Sequence, residues 1–239
     1  MTPIVLQKHS QDQFFSLNNH PPLLTGRQKT GITKLSTHMT TKVAVIYHSG
    51  YGHTANVAKA VARGADSVEG THSLLVQVED IDQHWDALEK VDAIIFGSPT
   101  YMGSASAQFK TFMDATSRHV FAKGGVWADK IAAGFTNAAS RSGDKLATLQ
   151  QLSIFAAQHS MHWVNLGLPP GHNSSTTTEE MLNRDSYFIG VGAQSNFDEG
   201  PDVAPKNPDI LTAEHLGARV ARVARELVEG RRSLAQRFA

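Results

Sequence analysis

From Lys42 onward, short apolar runs alternate with stretches that have the periodicity of amphipathic helices. Five of the apolar runs have the length of β-strands. They are Val43–Tyr47, Ser73–Val78, Ala93–Phe96, Lys130–Phe135 and Met161–Leu166. Alternating strands and helices are typical of βαβ units that build a parallel sheet. We therefore expect an α/β fold whose strands are buried on both faces.

Four helices are predicted between and after these strands. They lie near Ala55–Ala65, Ala107–Ser117, Asp144–Gln158 and Ala213–Glu229. The last has one apolar stripe, Thr212 as a candidate N-cap and Gly230 as a candidate stop signal. We expect this helix to pack against the sheet.

The domain organisation follows from the same pattern. Residues 1–38 show no sustained helical or alternating period, so residues 1–41 are predicted to be an N-terminal extension. We favour a disordered tail there, and a transit segment or a true start at Met39 are the alternatives. Residues 42–231 are predicted to form one domain, because 239 residues can build one sizeable core. Residues 232–239 are predicted to be a short tail.

Charge and cysteine content narrow the possible functions. Lysine plus arginine and aspartate plus glutamate both number 22, which argues against a nucleic-acid or anionic-membrane surface. We expect a small-molecule partner and a soluble, cytoplasmic protein. The sequence contains no cysteine, so any redox chemistry must come from a bound cofactor. No metal site is predicted, because His159 and His162 lack a neighbouring acidic ligand.

Ligands of open parallel sheets bind beyond the carboxyl ends of the strands, so the loops after the strands are candidate sites. The loop after the first strand combines two glycines, two hydroxyls and a helix start, which suits a phosphate. Its residues are Ser49, Gly50, Tyr51, Gly52, His53 and Thr54. It matches neither the nucleoside-triphosphate nor the dinucleotide glycine motif, so a monophosphate fits better. A plain strand-to-helix connection is the alternative.

Two more loops contain residues that suit binding of a planar ligand. The loop after the third strand could flank a planar heterocycle with an aromatic ring and a methionine. It contains Ser98, Pro99, Thr100, Tyr101, Met102 and Gly103. The loop after the fourth strand offers small residues whose amides can approach the edge of such a ring. It contains Thr136, Asn137, Ala138, Ala139, Ser140, Arg141, Ser142 and Gly143. For each loop the alternative is an ordinary polar connection.

The loop Ser49–Thr54 resembles the phosphate loop of flavodoxins. Tyr51-Gly52-His53, followed by Ile94–Thr100, resembles the WrbA-type NAD(P)H:quinone oxidoreductases over about residues 42–230. This resemblance implies a flavodoxin-like, doubly wound, five-stranded parallel sheet with strand order 2-1-3-4-5. It also implies FMN as cofactor, NAD(P)H as electron donor and a quinone as acceptor.

The resemblance also implies roles for individual residues. Ser49–Thr54 would bind the FMN phosphate, Pro99–Gly103 would line the flavin ring, and Asn137–Gly143 would contact its pyrimidine edge. The chain departs from the family at Ala139–Asp144, where relatives have a glycine-rich run, and at Gln158-His159, where they have a flavin-contacting His-His pair. Of that pair, His159 is the candidate cofactor-binding residue in this chain. Tyr51, Phe121 and Trp127 are the candidates for the substrate pocket.

Because the flavin carries the chemistry, no catalytic acid, base or nucleophile is predicted. Arg141 could stabilise negative charge on reduced flavin or could be a solvated surface charge. The alternative functions are a flavodoxin-type electron carrier and a non-catalytic FMN-binding protein. The resemblance implies a homo-oligomer, a dimer or a tetramer, with contacts expected in the long loop Gly167–Pro208. That loop is also long enough to cover a small-molecule pocket.

Overall fold

The computed structural model describes residues 40–238, and the predicted extension lies outside them except for its last two residues. The described strands are β1 Thr41–Tyr47, β2 Thr71–Gln77, β3 Ala93–Tyr101, β4 Ser104–Ala105, β5 Ile131–Ala138, β6 His162–Trp163 and β7 Val191–Gln194. The described α-helices are α1 His53–Asp66, α2 Trp85–Leu88, α3 Ala107–Thr116, α4 Lys145–Gln158 and α5 Asn207–Arg237. A 3-10 turn spans Val78–Gln83, and a π-helical turn spans Ser117–Phe121.

The sheet has the order β2-β1-β3-β5-β6, and all of these neighbours are parallel. The predicted order 2-1-3-4-5 is therefore confirmed, with β5 and β6 as the fourth and fifth strands. The short strand β4 folds back on β3 as an antiparallel hairpin. Strand order reverses between β1 and β3, because the chain adds β2 on one side of β1 and the later strands on the other side.

Two short strands share the fifth position of the sheet. The first part of β5 pairs with β6, whereas its second part, Phe135–Ala138, pairs with β7. The predicted strand Met161–Leu166 is too long, because the backbone N–H of Leu166 leaves the ladder and donates to Phe188 O at 2.9 Å. Strand β7 was not predicted, because its four residues include a glycine and carry little strand signal.

Hydrophobic cores lie on both faces of the sheet. Alternate residues of β1 point to opposite faces, so Val43 and Val45 join the core under α1 and α5. Ala44 and Ile46 join the core under α3 and α4. Strands β1, β3 and β5 are buried almost throughout. The expectation of full burial is wrong for β2, which lies at the edge of the sheet and is partly exposed.

The last helix is longer than predicted at both ends. It begins at Asn207 with Pro208 in its first turn, and Thr212 lies inside it and donates its hydroxyl hydrogen to Pro208 O. Gly230 does not end the helix, which continues to Arg237 through part of the predicted tail. One exposed glycine costs a helix only about 1 kcal/mol, and the residues after it are mostly good helix formers. None of the helices in residues 40–238 combines the length and the apolar composition of a membrane-spanning segment.

Candidate cofactor site

A cavity of about 740 Å³ opens at the carboxyl ends of β1, β3, β5 and β7. It lies beside the point where strand order reverses, which is the usual ligand position in open α/β sheets. Its volume is within the range of small-molecule and cofactor sites. It is lined by Tyr51, His53, Thr54, Pro99, Thr100, Tyr101, Asn137, Ala138, Ala139, Ser195, Asn196, Phe197, Asp198, Glu199, Gly200 and Pro201.

The loop between β1 and α1 forms one end of the cavity. Ser49 Oγ accepts hydrogen bonds from the backbone N–H groups of Gly52 at 3.1 Å and Ala55 at 3.0 Å. The N–H groups of His53 and Thr54, in the first turn of α1, have no acceptor among the described residues. Free amides and the positive end of a helix dipole attract anions. The loop therefore has the geometry of a phosphate site.

Gly52 is required by the shape of this loop. Its φ of 90° lies in the left-handed region, which side chains rarely adopt. A Cβ atom there would also stand 2.9 Å from Pro201 Cγ, which is too close for a carbon–carbon contact. The loop and the segment around Pro201 therefore approach each other only because residue 52 is a glycine.

The end of β3 supplies a second side of the cavity. The Thr100 hydroxyl is bonded to the hydroxyls of Thr136 and Thr148, each at 2.7 Å, so β3, β5 and α4 are tied together beneath the cavity. The Tyr101 ring meets the Tyr51 ring edge-on, with 6.4 Å between centroids. Burial raises the pKa of Tyr101, and the nearby Tyr51 adds to the rise, so its phenol stays neutral. This side offers aromatic surface and neutral hydroxyls.

The end of β5 supplies a third, more polar side. Asn137 is only 6% exposed, and its Oδ1 accepts a hydrogen bond from the Ser195 hydroxyl at 2.9 Å. Its Nδ2 has no acceptor among the described residues, and the residue lines the cavity. An amide N–H₂ in this position can donate to a carbonyl oxygen of a bound ring.

Residues 195–201, here called the strap, follow β7 and line the cavity. His53 Nε2 donates to Glu199 O at 2.8 Å, and Asn56 Nδ2 donates to Pro201 O. The strap is thereby attached to the first turn of α1. Its individual residues were missed by the sequence analysis, which indicated only that some part of 167–208 could cover a pocket. The run Gln194-Ser195-Asn196 directly after an apolar stretch, followed by Gly200-Pro201, was the available signal.

The charges around the cavity are unusual for an anion site. The described residues that line it include the acidic Asp198 and Glu199 but neither lysine nor arginine. Arg141 instead pairs with Glu179 and lies 3.7 Å from Asp185. Binding of a phosphate would therefore rest on amides, hydroxyls and the helix terminus rather than on a cation.

The structure separates several predicted site residues from the cavity. Ser49, Gly50 and Gly52 belong to the phosphate loop but do not line the cavity. Met102 and Gly103 lie beyond the end of β3 and do not line it either. Ser140, Arg141, Ser142 and Gly143 also do not line the cavity. Arg141 and Ser142 border a different depression, because Tyr187 Oη donates to Ser142 O at 2.9 Å and holds this loop outward.

Three predicted residues lie across the sheet, among α3, α4 and the π-helical turn. Trp127 is fully buried beside Phe96 and Phe112, so its assignment to a substrate pocket is wrong. His159 Nε2 is bonded to Thr116 Oγ1 at 2.9 Å, and burial lowers its pKa. His159 and Phe121 border a separate cavity of about 560 Å³, so this chain's own cofactor cavity lacks both.

Comparison with known proteins agrees with this architecture. The sequence profile described as NADPH-dependent FMN reductase matches residues 41–170. Flavodoxin FldP of Pseudomonas aeruginosa is 40% identical, with 78% of this chain and 98% of that protein aligned. An NAD(P)H dehydrogenase (quinone) of Aromatoleum aromaticum is 30% identical, with 80% and 99% aligned. The crystal structure of a WrbA-like flavodoxin of Agrobacterium tumefaciens has a TM-score of 0.60 and 41% identity, covering 78% of this chain and 99% of that one.

Fold and cavity together define a flavodoxin-like oxidoreductase. The chain belongs to the NADPH-dependent FMN reductase family, because the family profile covers more than half of the sequence and includes the cavity loops after β1, β3 and β5. It is similar to WrbA-type proteins in particular, which confirms the resemblance found in the sequence.

Proposed function

We propose that this protein binds FMN and transfers a hydride from NAD(P)H to a quinone. The observation that carries the proposal is the meeting of three chemically different surfaces in one open cavity. These are the free amides of His53 and Thr54, the aromatic side at Tyr101 and the amide of Asn137. These surfaces match, in that order, the monophosphate, the planar ring and the polar ring edge of FMN.

Each surface would bind a different part of the cofactor. The first turn of α1 would bind the phosphate through backbone N–H groups. Pro99, Thr100 and Tyr101 would pack against the ring, and Asn137 Nδ2 would donate to its pyrimidine edge. When bound, FMN supplies a centre that accepts a hydride from one substrate and gives it to the next.

The protein would then mainly position substrates. Tyr51 is 76% exposed and Phe197 is 90% exposed, and both line the cavity, so they offer aromatic surface to a nicotinamide or a quinone. The acidic Asp198 and Glu199 would disfavour acceptors with negative charge. A neutral quinone fits this surface best.

One observation favours a second function. The relative that is 40% identical is named a flavodoxin, which suggests a carrier that passes electrons between proteins. Against this, lysine plus arginine and aspartate plus glutamate both number 22, so there is no acidic excess for docking on basic partners. We therefore place the reductase first.

Assembly and location are further parts of the proposal. We expect a homo-oligomer, a dimer or a tetramer, because Met102, Phe188 and Phe197 are exposed apolar side chains in the cavity loops and in 167–208. Light scattering would measure the mass. We expect a cytoplasmic location, which cell fractionation would test.

The decisive experiment is anaerobic reduction of the FMN-loaded protein. We expect NADH or NADPH to bleach the flavin absorbance and benzoquinone to restore it in repeated turnovers. Bleaching by dithionite but by neither nicotinamide would support the carrier instead. A flavin that is reduced but passes electrons to no acceptor would support a non-catalytic FMN-binding protein, and a protein without affinity for FMN would exclude all three.

A further inference from the structure

We propose that Gln194, the last residue of β7, is a positioning residue that sets the polar side of the FMN cavity. This inference rests on the proposed binding of FMN. Gln194 is 8% exposed and is not itself a cavity-lining residue. Its influence would pass through the residues that it holds.

Gln194 connects two parts of the cavity wall. Its Nε2 donates to Ala139 O at 2.7 Å and to Asn196 Oδ1 at 2.8 Å. Ala139 belongs to the loop after β5, and Asn196 belongs to the strap, so one amide group spans both. The neighbouring Ser195 donates to Asn137 Oδ1 and orients the free Nδ2 of that side chain. Residues 194–196 together determine where the polar donors of this wall lie.

Gln194 is itself held by a buried ion pair. The Arg184 guanidinium binds the Asp209 carboxylate through two hydrogen bonds of 2.8 Å, and both side chains are at most 5% exposed. Arg184 Nη2 also donates to Gln194 Oε1 at 3.3 Å, and Asp209 Oδ2 accepts from the backbone N–H of Gln194 at 2.9 Å. All the hydrogen-bonding groups of the Gln194 amide are thus occupied, which leaves one orientation.

The test is the isosteric change Gln194→Glu. A carboxylate keeps the size of the side chain but cannot donate, so it faces Ala139 O and Asn196 Oδ1 with oxygen against oxygen. We expect the Kd for FMN to rise roughly tenfold or more, as for the loss of two buried hydrogen bonds. The Kd for riboflavin, which lacks the phosphate, should rise by a similar factor, because the affected wall faces the ring.

Two variants separate this effect from other causes. Gln150→Glu makes the same chemical change on the exposed face of α4 and should leave both Kd values unchanged. Ser49→Ala loosens the phosphate loop and should weaken FMN binding while leaving riboflavin binding nearly unaffected. Titration of each protein by quenching of flavin fluorescence gives all the values.

The outcomes distinguish the two proposals. Wild-type protein that does not bind FMN would refute the proposed function and, with it, this inference. Wild-type affinity in Gln194→Glu would refute the inference alone. A lower ratio of the riboflavin Kd to the FMN Kd would show that the substitution also weakens the phosphate site, which contradicts an effect confined to the polar side of the cavity. The proposal is upheld if both Kd values rise, their ratio stays the same and urea unfolding shows that the Gln194→Glu apoprotein is fully folded under the titration conditions. A folded fraction small enough to account for the rise in both Kd values would instead refute it.

Discussion

The phosphate loop and the polar wall of the cavity, which consists of Asn137, Ala139 and residues 194–196, are built in different ways. In the phosphate loop, Ser49 bonds to residues three and six positions away, so the loop organises itself. In the polar wall, Gln194 bonds to residues 15 and 55 positions away, and Ser195 reaches Asn137 across 58 positions. The first depends on local backbone geometry and the second on correct packing of distant elements. Perturbing the packing should therefore damage the wall and spare the loop.

The largest effect is expected from Asp209→Asn, which leaves the buried Arg184 only its longer ion pair with Glu179, at 3.4 Å. Removal of the closer partner of a buried charge should reduce the free energy of unfolding by about 3 kcal/mol, the lower end of the cost of breaking a buried ion pair. In the wild type, the hydrogen bonds to Asp209 raise the pKa of Arg184 although burial opposes the rise, so the guanidinium is charged. Urea unfolding of the apoprotein would measure the change.

The control for this variant is Asp114→Asn. It removes the carboxylate of the exposed Lys110–Asp114 pair on α3, where we expect a change below about 0.5 kcal/mol. Equal effects of the two substitutions would contradict the special role of the buried pair.

A smaller effect is expected from Gly52→Ala, which strains the phosphate loop. A side chain at a φ of 90° and close to Pro201 should cost about 1–3 kcal/mol of stability. It should also weaken FMN binding, while riboflavin binds almost normally. Gly230→Ala, in an exposed part of α5, provides the control and should stabilise the helix slightly. If Gly52→Ala weakened both ligands equally, the loop would not be an independent phosphate site.

The smallest effect concerns pH. Burial lowers the pKa of His48 and His159 below the ordinary value of 6.5, so protonation favours the unfolded chain. Stability is fully present above 6.5 and should fall as the pH drops below it. His48 precedes the phosphate loop, and Glu79 partly opposes its shift, whereas His159 has only the effect of burial. Urea unfolding at about pH 7.5 and about pH 5 should thus show a weaker pH dependence for His159→Asn than for wild type. An unchanged dependence would contradict this interpretation.

Much of the candidate site could be predicted, because its residues directly follow predicted strands. Nine predicted residues line the cavity, in the loops after β1, β3 and β5. Parallel strands deliver their following loops to one edge of the sheet, so strand prediction alone brought these loops together. The predicted residues that do not line the cavity are placed by contacts with distant parts of the chain. Trp127 is buried and Arg141 is paired with Glu179, and both facts depend on neighbours that are distant in sequence.

The parallel sheet and the phosphate loop could be predicted from the amino-acid pattern, and the strand order followed from the family resemblance. Hydrophobic periodicity and glycine-rich turns act over a few residues, so they can be recognised in a linear chain. By contrast, the sharing of the fifth position by β6 and β7 and the closure of the cavity by the strap depend on packing across the whole fold. The contacts of Gln194 with Ala139 and Asn196 have the same origin. Such contacts link segments far apart in sequence, and their partners are selected by packing rather than by local pattern.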